Sequence, residues 1–152
     1  TPESLRDLSV SLDNVGGTAG RLGDFEEARK AYQESLSIRR QIIRRVGETP
    51  ESLRDLSVSL HKTGRLFAET GDPEAARRFL QEGLGIAEAL ADSFSDQVDF
   101  NELPGYFIEA LKELQSREQG PFRPQAEHSP CPLWQMLRKM LAVCRTKRNM
   151  RL

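Results

Sequence analysis

TPESLRDLSVSL occupies Thr1–Leu12, and the same twelve letters return at Thr49–Leu60. The likeness extends well beyond the identical stretch. GRLGDFEEARKAYQESLSI (Gly20–Ile38) falls on AETGDPEAARRFLQEGLGI (Ala68–Ile86), and aligning residues 1–48 with 49–96 gives 22 identities. Self-similarity at a fixed period in the range of about 20–50 residues is the mark of a stacked repeat architecture. The duplicated object is therefore a structural unit of 48 residues, more than a short motif displayed twice.

Each unit reads as two helices. Leu5, Leu8, Leu12, Val15, Ala19 and Leu22 recur at steps of three and four, which predicts one buried stripe. Leu53, Leu56, Leu60, Thr63, Phe67 and Thr70 take those places in the copy. Thr1-Pro2 and Thr49-Pro50 are helix starts, a hydroxyl cap followed by proline at the first helical position. Gly23-Asp24 and Gly71-Asp72 supply the turns. The second helix carries Ala28, Tyr32, Leu36, Ile42, Ile43 and Val46 inward, and its copy uses Ala76, Leu80, Leu84, Leu90 and Phe94. Gly47 closes the first unit, and no segment alternates as a strand does, so the class is all-α.

These units resemble tetratricopeptide repeats. The family's first-helix pattern is met by Leu12, Val15-Gly16 and Ala19, then by Leu60, Thr63-Gly64 and Phe67. Its second-helix pattern is met by Ala28, Tyr32 and Ser35-Leu36, then by Ala76, Leu80 and Gly83-Leu84. LGDFEEA (Leu22–Ala28) is close to the family's turn, whereas the proline that ends each repeat is missing. The usual repeat has 34 residues, so this is a long-helix variant similar to bacterial arrays. The resemblance implies an α-solenoid of stacked antiparallel helix pairs.

The organisation that follows is repeat 1 at 1–48, repeat 2 at 49–96, and a degenerate third unit at 97–118. VDFNELPGYFIEALKEL (Val98–Leu114) echoes the second helix of a unit. Pro104-Gly105 is expected to break it, leaving 106–118 as a shorter capping helix. Two units and a cap are few for a free-standing array, and with Thr rather than Met as first residue a longer parent is expected. A proline-rich linker at 119–132 leads to a basic tail at 133–152. There Leu133, Met136, Leu137, Met140, Leu141 and Cys144 share one helical face beside six cations and no acid. It reads first as a helix docked on the array or held loosely; contact with a membrane surface is the alternative.

Composition narrows the function. The 152 residues are 38% hydrophobic and 30% charged, and the net charge of -1 argues against nucleic-acid binding by the chain as a whole. No apolar run approaches the roughly 20 residues of a membrane span, and Cys131 and Cys144 form no CxxC pair, which fits a cytoplasmic setting. VGGTAGRLG (Val15–Gly23) is dense in glycine but lacks the strand and the lysine of a phosphate loop. Gly16 falls at the close helix contact of the repeat pattern, whereas Gly17 and Gly20, replaced by Arg65 and Ala68 in the copy, have no such account. His61 and His128 stand at no metal-ligand spacing, and Glu26-Glu27 fit a helix start. No cofactor, metal or catalytic constellation is expected, and the chain is not read as an enzyme.

The resemblance implies a protein–protein interaction scaffold whose first helices line a concave groove for a peptide or partner segment. Carried over, the groove positions are Arg6, Val10, Asp13, Asn14, Gly17 and Arg21, then Arg54, Val58, His61, Lys62, Arg65 and Glu69. The second set is the more basic, so an acidic protein or peptide partner is expected. The clamp for chaperone tails known in the family wants Lys and Asn where Asp13 and Gly17 stand. The alternative is a structural spacer or homo-oligomerisation segment of a larger signalling or effector protein whose catalytic domain lies outside this chain.

Overall fold

A computed structural model describes residues 1–120 and contains five helices: α1 Pro2–Arg21, α2 Phe25–Val46, α3 Pro50–Glu69, α4 Pro73–Ser93 and α5 Val98–Gln119. The linker and basic tail expected at 119–132 and 133–152, with His128, Cys131 and Cys144, lie outside the described residues but for Gln119 and Gly120. Among the described residues no helix is long and apolar enough to cross a membrane.

Local chemistry sets the helix starts. Thr1 and Thr49 accept the backbone N–H of Ser4 and Ser52, and Ser52 answers by accepting from the Thr49 N–H at 3.0 Å. Asp24 and Asp72 cap α2 and α4 in the same way, accepting from Glu27 and Ala75. Such a cap contributes about 1 kcal/mol. Gly23 and Gly71 hold φ of 80° and 83°, a left-handed geometry that side chains with a Cβ resist, and so turn the chain back on itself. The short turns make α1/α2 and α3/α4 helix pairs, and α2 packs on α3 to join them, as an α-solenoid requires.

The identical dodecamers do not share one environment. Leu56 and Thr63 are buried at 6% and 0% exposure, because α3 is packed on both α2 and α4. Their counterparts Leu8 and Val15 are 46% and 47% exposed, and Leu22 is exposed as well. The stripe expected along α1 is therefore turned outward in part. What α1 buries against α2 is Ser9, Asp13, Gly16 and Ala19.

The end of the array also differs from expectation. α5 runs unbroken from Val98 to Gln119 with Pro104 inside it, in place of a short helix at 106–118. Its buried residues Phe100, Leu103, Phe107, Ala110 and Leu114 join a core with Phe67, Ala76, Leu80 and Leu90. That burial outweighs the roughly 3 kcal/mol helical cost of an interior proline. α5 also takes the role of a first helix, not of the second helix its letters echo. Ser59 on α3 meets Ser35 and Asp13, and Phe107 on α5 meets Gly83 and His61, the residues that follow those two by one unit.

Candidate binding groove

Gly16 is where the groove begins. A Cβ there would sit 2.8 Å from ring carbons of Tyr32, so only glycine lets α1 close on the ring. Gly64 does the same for Leu80 in the second pair, at 2.7 Å. Gly17 and Gly20 are under no such demand. A Cβ on Gly17 would meet only the Tyr32 hydroxyl, at 3.5 Å, and one on Gly20 only the Cβ of Ala28, at 3.9 Å. Both contacts are ordinary, and each glycine costs the helix about 1 kcal/mol relative to Ala.

What the two glycines leave is space. A cavity of about 340 Å³ opens between α1 and α3, floored by Gly16, Gly17, Gly20, Tyr32 and Leu66. Arg21, His61, Lys62, Arg65 and Glu69 form its walls. Tyr32 is only 8% exposed, and its hydroxyl has no hydrogen-bond partner among the described residues. Since every fully buried side-chain polar atom among those residues is partnered, the hydroxyl reaches solvent through the cavity. Burial, helped by the negative charges of Asp13 and Glu69 and opposed by Arg21, raises the phenol above its ordinary pKa. At neutral pH it is an O–H donor facing the opening.

The expected groove residues other than Asp13 separate into three groups. Arg21, His61, Lys62, Arg65 and Glu69 come together around this cavity. Val10 (46% exposed), Asn14 and Arg54 are surface positions, and Val58 is half-buried; none of the four lines it. Arg6 borders a smaller cleft near the starts of α1 and α3, where its Nε lies 2.8 Å from Asp55.

Asp13 is placed inside the protein, at 4% exposure, where it holds a polar core between the two helix pairs. Its carboxylate accepts from Arg39 at 3.0 Å, from Ser59 at 3.2 Å and from Lys62 at 3.2 Å. Arg39 is 5% exposed; it also donates to Ser35 and lies 3.7 Å from Asp55. Ser35 in turn donates to the Ser9 carbonyl at 3.0 Å. A buried charge needs such pairing to be tolerated. Lys62 is consequently tethered to Asp13, whereas Arg65 is exposed and in none of the ion pairs among the described residues.

His61 is held differently again. Its ring meets Tyr106 and Phe107 edge-on, with centroids 6.4 and 5.2 Å apart. Burial first, then the charge of Arg65, lowers its pKa, against raising contributions from Tyr106 and Glu113. It contributes an uncharged imidazole to the groove at neutral pH.

Sequence reasoning placed Tyr32 in the core and did not include it in the groove. The available signal was the pair Gly17 and Gly20, glycines inside a helix that the repeat pattern does not demand. Comparison with known proteins agrees with the helix-pair reading: residues 8–43, most of α1 and α2, match the family model described as Tetratricopeptide repeat. No curated protein and no solved structure matches the chain.

Proposed function

As a member of the tetratricopeptide repeat family over residues 8–43, the chain suits a protein–protein interaction scaffold, and we propose that the groove between α1 and α3 is where it takes its partner. The observation that supports this reading most is the cavity itself, an opening of about 340 Å³ in which Tyr32, Arg21 and Arg65 present donors. Glu69 is the one carboxylate on its walls, and Lys62 is held by Asp13, which Arg39 shares. Arg21 and Arg65 against the single Glu69 leave the walls net positive, which favours an acidic peptide segment.

The test is affinity capture with the full chain and with Arg65→Glu, each partner quantified by mass spectrometry. Arg65 is exposed, so the variant is expected to fold normally, which circular dichroism checks. Loss of one acidic partner from the variant supports the groove; identical capture by both proteins rejects it.

A second reading, a spacer or self-association segment, draws on the outer side of α1. Leu8 and Val15 are exposed there, with Leu22 just past the helix end, and the counterparts of the first two, Leu56 and Thr63, are buried in α3. Static light scattering tests the self-association form of it: a dimer that Leu8→Glu with Val15→Glu dissolves favours that form, and a monomer at all concentrations excludes it.

A further inference from the structure

We propose that Tyr32, beneath the window left by Gly17 and Gly20, is a subsite of this groove that binds a peptide carboxylate, which accepts the Tyr32 O–H and is flanked by Arg21 and Arg65. The inference rests on the groove reading and adds to it a specific chemical group and a place for that group.

Three observations carry it. First, Tyr32 is more than nine-tenths buried, yet its hydroxyl has no partner among the described residues and opens into the cavity. The hydroxyl is therefore a donor held in place by the packed ring and open to an incoming acceptor, with only water to displace. Second, internal packing does not require Gly17 or Gly20, since a Cβ at either would make only ordinary contact. A side chain there would fill the space above the hydroxyl.

Third, the duplicated unit supplies an internal control. It keeps the close-contact glycine, Gly64, which packing does require. At the positions of Gly17, Gly20 and Tyr32 it has Arg65, Ala68 and Leu80. The helix pair thus folds without the hydroxyl and without the two extra glycines. The three features occur together in the first unit and are lost together in the second, as expected of parts of one site.

The chemistry of the walls selects the ligand group. Tyr32 donates, and Arg21 and Arg65 donate without being able to accept. The matching group is an acceptor of negative charge. Arg21 and Arg65 with Glu69 beside them leave a net charge of +1, which a single carboxylate neutralises, whereas a doubly charged phosphate would leave the site with an unpaired negative charge. The raised pKa of the phenol keeps the donor protonated while the ligand is ionised.

The experiment pans a random peptide library against the full chain. The best binder is synthesised with a free and with an amidated C-terminus, and both are titrated by fluorescence polarisation. Enrichment of Asp or Glu is expected. Tyr32→Phe, which removes one oxygen, should weaken binding by about 10- to 100-fold, the worth of a hydrogen bond to a charged group. Gly17→Leu should abolish binding while leaving the melting temperature equal or higher.

If Arg65→Glu loses binding but Tyr32→Phe and Gly17→Leu stay within about twofold of the parent, the subsite is overturned and the groove survives. If all variants bind alike, or no peptide is enriched, both are overturned. Loss of binding on amidation assigns the carboxylate to the peptide terminus, and retention assigns it to a side chain.

Discussion

Replacing Asp13 with alanine tests the polar core between the helix pairs. The carboxylate is the meeting point of Arg39, Ser59 and Lys62, and both it and Arg39 are almost wholly buried, at 3% and 6% side-chain exposure. Removing one partner of a buried pair typically costs about 3–5 kcal/mol, most of it the desolvation of the charge left behind. Here Arg39 retains Asp55 at 3.7 Å and Ser35 at 3.5 Å, and Lys62 can turn to solvent. The lower end, about 3 kcal/mol, is therefore expected. Against a total of about 5–15 kcal/mol for a domain, that is a large fraction. In urea, with m about 1–3 kcal/mol/M, it moves the unfolding midpoint down by about 1–3 M. The double variant Asp13→Leu with Arg39→Met removes both charges and should lose less than about 1.5 kcal/mol, because apolar groups of similar volume replace a desolvated pair. The assay is equilibrium urea unfolding followed by far-UV circular dichroism. A single variant within about 0.5 kcal/mol of the parent, or a double variant worse than the single, would refute the reasoning.

Two further perturbations address the same helix contacts. Gly16→Ala drives a methyl to 2.8 Å from the Tyr32 ring, and Gly83→Ala drives one into Phe107. Each should lower stability by about 1–3 kcal/mol in thermal melts, whereas Gly20→Ala should raise it by about 0.5–1 kcal/mol. For His61 the sign follows from its lowered pKa: the unfolded chain takes up the proton more readily. Its contribution is whole above the unfolded-state value of about 6.5 and is lost as pH falls towards the lower folded-state value. Arg65 and Lys62 oppose that proton and Glu113 favours it. Urea midpoints at pH 7.5 and 5.5 should fall less in His61→Leu than in the parent; an equal fall in both contradicts the assignment.

Much of the architecture can be read from short-range chemistry. Thr-Pro starts, Gly-Asp turns and the repeat itself fix four helices, because each acts within a few residues of chain. What could not be read depends on distant neighbours. Leu8 and Leu56 sit in identical dodecamers, so no local pattern can tell that one is 46% exposed and the other 6%. Asp13 reads as a surface charge until Arg39 and Ser59 are brought to it by folding. Pro104 reads as a breaker, and only the burial of Leu103 and Phe107 keeps α5 whole. In the groove, the basic character around Lys62 and Arg65 was legible, whereas the role of Tyr32 depends on which edge of its ring reaches open space.

The two joints of the array bear separate addresses. At the first joint Asp13, Ser35 and Arg39 receive Ser59 and Asp55; one unit later His61, Gly83 and Ala87 stand in those places, beside Phe107 and Leu103. If α5 settled on α2, Phe107 would crowd Ser35 and leave Asp13 and Arg39 without their neighbours. If the α3 of a second copy took the place of α5 on α4, its Asp55 would face Ala87 and a hole would remain where Phe107 belongs. Near-identical units are prone to assembling in the wrong order. Five differences, three on the receiving helices and two on the incoming one, make each joint a poor fit for the other's helix.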